Sequence, residues 1–165
     1  MKPVPPTRSA AHVQRELETD GKPSTVEEIP AGLSAFLAAL RARDAIGAAA
    51  QLAEYVILES PIDVEPVVGR KQVAKVVSQI LDVLDEFTVT HIIAGDGCFA
   101  VTTNINMGTA ELDGMDLIGI NAEGKVASLS IHLRPMRAIV ALQNRLAAAS
   151  GTPLLVLTES TRRSS

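Results

Sequence analysis

Between residues 115 and 135, apolar and polar side chains alternate in two runs. Ile118 and Ile120 share one side of the first. Leu129, Ile131 and Leu133 share one side of the second, opposite Ser128, Ser130, His132 and Arg134. A period of two is that of a strand with one face buried, and residues 121–124, Asn-Ala-Glu-Gly, supply turn chemistry between the runs. The stretch predicts a hairpin with one apolar and one polar face. The same period puts Asp116 on the side of Ile118 and Ile120, so a carboxyl group is aimed at an apolar surface.

Upstream the period changes to that of helices. Pro30 suits a first helical turn, where its missing N–H costs nothing, and Leu33, Phe36, Leu37 and Leu40 follow at helical spacing, predicting a helix that ends near Arg43. Asp44 can cap a second, Ala-rich helix through Ala53, with Ile46, Ala49, Ala50 and Ala53 on one side. Residues 54–59 read as a strand closed by Ser60-Pro61, and residues 63–69 as a loop. From Arg70, the stripe Val73, Val76, Val77, Ile80, Leu81 and Leu84 predicts a third helix that packs on a sheet. Residues 88–94 and 99–107 flank Gly95-Asp96-Gly97 as a strand pair, and Ile139, Leu142 and Leu146 support a terminal helix. Helices followed by strands in antiparallel hairpins argue for an α+β fold, a curved antiparallel β-sheet with helices on one face and a conical cavity between.

The chain has 165 residues, enough for one domain with a sizeable core. Residues 1–24, with four prolines among polar residues, read as a flexible N-terminal arm with a short helical turn at 10–17; residues 25–149 form the domain and 150–165 a tail with one apolar patch, 154–157. No long apolar run or leader-like segment is visible, so the expectation is a cytoplasmic protein without a membrane span. A net charge of −4 without a basic stripe argues against nucleic-acid binding, and four aromatic residues leave aliphatic side chains to line any pocket. Cys98 is expected to be a small core residue. No His/Cys cluster with ligand spacing and no phosphate-binding Gly loop occurs, so neither a metal nor a cofactor is indicated.

The order of elements, with residues 36–44 (Phe-Leu-Ala-Ala-Leu-Arg-Ala-Arg-Asp), Glu59-Ser60-Pro61, residues 65–70 (Glu-Pro-Val-Val-Gly-Arg), and Asp116 followed by Asn-Ala-Glu-Gly-Lys-Val from Asn121, resembles the nuclear transport factor 2-like superfamily. Within it the SnoaL-like polyketide cyclases and ketosteroid isomerase are most similar, over residues 30–135 and to about 145 with the last helix. The resemblance implies a cone-shaped, cystatin-like α+β roll with three helices in the N-terminal half, an apolar pocket, and sheets that pair back to back in a homodimer. Asp116 falls where the isomerase keeps a protonated aspartic acid in its oxyanion hole. Phe36 stands where the partner tyrosine would donate a hydroxyl, and Ser60 where the general-base aspartate would stand. Two of that enzyme's three roles are therefore missing. The Arg-x-Asp pair of limonene epoxide hydrolase, another relative, is absent as well.

Asp116 has two readings: a buried acid with a raised pKa, or a carboxylate satisfied by neighbouring donors. Glu59 and Tyr55 are the candidates for a replacement base or phenolic donor on the first strand, although their parity is opposite to that of Val56, Leu58 and Ser60. Phe36, Leu40, Ser60, Ile118 and Leu133 are the expected ligand-binding residues. Asn104 and Asn106 are expected on the face away from Phe99, Val101, Ile105 and Met107, and His132 with Arg134 at a dimer contact. Two functions follow as alternatives. One is a cofactor-free isomerase, cyclase or hydrolase acting on a small hydrophobic carbonyl or epoxide compound through Asp116. The other is a non-catalytic ligand-binding or dimerisation module of the same fold.

Overall fold

The computed structural model describes residues 28–95, 97–151 and 153–158. The arm expected at 1–24, its helical turn and the end of the tail lie outside the described residues.

Helix α1, Ala31–Arg41, starts directly after Pro30 and buries Leu33, Phe36, Leu37 and Ala39, the stripe its spacing predicts. Helix α2, Ala45–Ala50, is capped by Asp44, whose Oδ1 accepts from Gly47 N at 2.9 Å. It stops three residues earlier than expected and buries Ala48, while Ile46 is 85% exposed. An alanine run has no polar face to show its orientation, and here the smallest side is turned inward. Strand β1, Leu52–Glu59, then begins two residues early. A two-residue strand β2, Val67–Val68, lies in the segment read as a loop and pairs antiparallel with Ile57 and Leu58. Helix α3, Arg70–Val83, buries Val73, Val77 and Leu81. Strands β3 (Glu86–Gly95), β4 (Cys98–Met107), β5 (Ala110–Ile120) and β6 (Val126–Arg134) follow, and α4 is Met136–Ser150.

The six strands form one curved, unclosed sheet in the order β2-β1-β6-β5-β4-β3, packed against the helices. From β3 to β6 it is an antiparallel meander, but β1 joins β6 in parallel, with a bulge between Leu52 and Ile57, so the sheet is mixed. The turn before β6 is built by Asn121, whose Oδ1 accepts from Glu123 N and Lys125 N, and by Gly124 at φ +75°. Helix α1 crosses this turn so closely that a Cβ on Gly32 would run into the Gly124 carbonyl.

The helix-facing side of the sheet carries two apolar clusters. One joins α1, α2, β1 and α3 to Phe99, Val101, Ile118, Val126 and Leu129. The other joins Leu84, Ile105, Met107 and Leu112 to Ala138 and Leu142 of α4. Register places Thr103 of β4 and Gly114 of β5 between them, opposite one another. Cys98, at the first position of β4, is exposed rather than in the core, because its parity is opposite to that of the buried Phe99 and Val101. Among the described residues no helix is long and apolar enough to cross a membrane.

Candidate functional site

Where the two clusters fail to meet, they leave a cavity of about 80 Å³. Phe36 and Leu40 of α1, Ile80 and Leu81 of α3, Ile131 and Leu133 of β6 and Leu142 of α4 are among its lining residues. Its one titratable lining group is Asp116. Strand parity puts the carboxyl there: Asp116 pairs with Val101 on one side and Ile131 on the other, both on the apolar face. Its Oδ1 is sealed from solvent and has no hydrogen-bond partner. Burial pushes its pKa from the ordinary 3.8 up to about 7, with the nearby His132 ring pulling weakly the other way. A carboxylate held by protein donors would show the opposite direction of shift.

The other expected residues separate into three places. Phe36, Leu40 and Leu133 line the cavity, and Ile118 is buried beside it in the first cluster. Ser60 and Glu59 lie outside it, lining a hollow of about 400 Å³ with Pro61, His132 and Ile139. This hollow adjoins the cavity through Ile131 and Leu133, which border both. Ser60 Oγ accepts from Ile62 N at 3.1 Å and Asp63 N at 3.3 Å, so the hydroxyl shapes the bend after β1. Tyr55 is 83% exposed on the face away from the helices, since Val56 and Leu58 take the buried parity of β1. The structure therefore does not bring Tyr55 to Asp116.

Sequence reasoning missed Thr103. It occupies the parity of Phe99, Val101, Ile105 and Met107, is 2% exposed, and its Oγ1 has no partner. A polar residue in an otherwise apolar register was the available signal. Asn104 and Asn106 face outward, with Asn104 Nδ2 donating to Asp113 Oδ1 at 2.7 Å and Asn106 Nδ2 to Glu86 Oε2 at 3.1 Å. His132 Nδ1 donates to the Met115 carbonyl at 3.2 Å on the same outer face.

Several solved structures share this architecture. A cystatin-like protein conserved in bacteria, from Silicibacter pomeroyi, aligns with TM-score 0.71 and 24% identity over 76% of this chain and 89% of its own. A steroid delta-isomerase from Pseudomonas aeruginosa aligns with TM-score 0.67 and 24% identity over 73% and 93%. The epoxide hydrolase/cyclase-like enzyme of pyran ring formation in the polyether salinomycin aligns with TM-score 0.56 and 15% identity over 65% and 90%. No curated protein matches the sequence significantly. At these identities the likeness establishes the fold alone. The sequence itself goes further, because the model of the SnoaL-like domain matches residues 33–129, from the first buried leucine of α1 to the cavity wall on β6. With well over half its length matched, from the helical cover to the sheet that carries Asp116, this chain belongs to the SnoaL-like domain family.

Proposed function

We propose that the chain takes up a small apolar molecule carrying one oxygen, with Asp116 as acid or hydrogen-bond donor to that oxygen, in the manner of a cofactor-free isomerase, cyclase or hydrolase. The observation that carries this is the buried, unpartnered Oδ1 of Asp116 in a cavity whose other walls are apolar. A carboxyl group with a pKa near 7 is present in both forms at neutral pH. The protonated form can donate to a carbonyl or epoxide oxygen, and the ionised form can take a proton back, so its pKa is matched to general acid–base work. A water molecule, or Glu59 from the adjoining hollow, would complete the proton traffic for a molecule that reaches from the cavity into the hollow. The steroid isomerase and the epoxide hydrolase/cyclase-like neighbour support the reading as fold relatives that handle such oxygens.

The small volume supports a second reading. About 80 Å³ with a single polar group is well short of the ~300–1,000 Å³ usual for ligand sites, as a non-catalytic binding module would show. One experiment separates the two: carboxyl ¹³C NMR of Asp116 across pH, with turnover and binding of small cyclic ketones and epoxides by wild type and Asp116→Asn. We expect a titration near 7 that vanishes in the variant, together with loss of turnover. Binding and titration without turnover would select the module. Unchanged binding and turnover in Asp116→Asn would overturn the role of Asp116.

The outer sheet face supports a homodimer. It leaves Tyr55, Ile57, Met115 and Leu117 exposed beside His132 and Arg134, an apolar patch with a polar rim. Sedimentation equilibrium should show a dimer that Leu117→Glu converts to monomer; a monomeric wild type would remove the proposal.

A further inference from the structure

Among the described residues, two buried side-chain oxygens lack a hydrogen-bond partner, Thr103 Oγ1 and Asp116 Oδ1. They belong to adjacent strands and to the same face. Thr103 stands opposite Gly114 and Asp116 opposite Val101, so they are diagonal neighbours across the β4–β5 ladder. Such neighbours are roughly 7–8 Å apart at the backbone, which leaves room for one further oxygen between two side-chain oxygens. Gly114 has no side chain to fill the gap. A Cβ there would collide with Thr103 Oγ1 and touch Leu133 Cδ2 at 3.4 Å, so the hydroxyl leans over Gly114 beside Leu133, which lines the cavity while Thr103 itself stands just outside that lining.

An unpartnered buried hydroxyl is costly, and this strand has a cheaper arrangement on its other face. There Thr102 Oγ1 lies 2.6 Å from Thr90 Oγ1 and 3.2 Å from His91 Nδ1. A valine would fill the position of Thr103 with the same shape and no polar atom to satisfy. The hydroxyl therefore has its partner elsewhere, and the other unpartnered oxygen nearby marks the place.

We propose that Thr103, just outside the cavity lining, becomes the second polar contact of the site when the Leu133 side chain yields to a bound molecule, holding one oxygen atom of that molecule jointly with Asp116. The site then selects carbonyl, epoxide or alcohol compounds over hydrocarbons of the same size. Thr103 Oγ1 donates to one lone pair of that oxygen and the Asp116 carboxyl donates to the other, so two short-range donors fix its position. This rests on the reading of the cavity as a ligand site and names what the site distinguishes.

The test compares affinities for cyclopentanone and cyclopentane, by ligand-observed NMR, in wild type, Thr103→Val, Thr103→Ala, Thr103→Ser and Asp116→Asn. Wild type should prefer the ketone. Thr103→Val and Thr103→Ala should each weaken ketone binding about fivefold, the worth of one hydrogen bond, with cyclopentane unaffected, and Thr103→Ser should restore it. Loss of ketone preference in Asp116→Asn with full preference in both Thr103 variants lacking the hydroxyl would overturn the role of Thr103 and leave that of Asp116. A wild type that binds neither compound would overturn this proposal and the cavity reading together, and one that binds both equally would overturn the polar selection by Thr103 and Asp116 while keeping the cavity as a binding site. Thr103→Ala guards against misfolding of Thr103→Val, and both are checked by thermal unfolding.

Discussion

Strands β4, β5 and β6 present two surfaces made from alternate residues of one backbone. On the outer face, polar groups find each other: Arg134 meets Asp113 at 2.8 Å, Asn104 donates to the same carboxylate, and Thr90 pairs with Thr102. On the inner face, a threonine and an aspartate stand among valine, isoleucine and leucine with an oxygen each left unpaired. Water can repair any lapse outside, so the exposed contacts are worth little individually. No such repair exists inside, and polar groups there must be neutral, matched or occupied. The two faces thus separate polar residues paired within the fold from polar residues left without a protein partner.

The sharpest way to break this comparison is to titrate it. Asp116 binds its proton more tightly folded, near pH 7, than unfolded, near 3.8, so its contribution is full below the lower value and lost as pH rises through the higher. Urea unfolding of wild type against Asp116→Asn should diverge by up to about 4 kcal/mol between pH ~4 and ~8, the variant gaining relative to wild type as pH rises. Parallel slopes in wild type and Asp116→Asn would mean that the inner face is as well solvated as the outer.

Two glycines sharpen the comparison at lower energy. An added Cβ at Gly114 would meet the hydroxyl of Thr103, and at Gly119 the hydroxyl of Ser128. Thr103 is buried and β-branched, so it cannot swing away, and Gly114→Ala should cost roughly 1–3 kcal/mol. Ser128 is exposed, free to rotate, and Gly119→Ala should stay within about 0.5 kcal/mol. Equal costs in chemical denaturation would show that packing does not distinguish the faces.

Much of this was legible in the sequence because periodicity is strong where one side of an element is buried. The stripes of α1 and α3 and the alternation in β5 and β6 fix both the element and its inward face, and with it the aim of Asp116. Legibility fails where side chains carry no contrast. Between Ala45 and Ala53 nothing in an alanine-rich run marks the end of α2 or which side it buries, so β1 begins earlier than expected. In β1 both parities are apolar over residues 55–58, and only packing against the helices decides that Val56 and Leu58 go in and Tyr55 stays out. Two residues are too few to show a pattern, hence β2. Thr103 was hidden by the company it keeps, since four apolar residues of the same parity define the face and a threonine among them is easily passed over.

The parallel seat of β1 beside β6 bears on the order of events during synthesis. Leu52 leaves the ribosome long before its ladder partner Val126, and the meander from β3 to β6 has to form in between. Until then α1, α2 and β1 have apolar faces and little but one another, the short β2 and α3 to cover them. Local hairpin contacts form quickly and distant pairings late, so docking of the N-terminal half is the late step of assembly. Exposed apolar surface in that interval is where aggregation competes with folding. The same late docking closes the wall of helices over Asp116, so the carboxyl acquires its raised pKa only when the N-terminal half is in place.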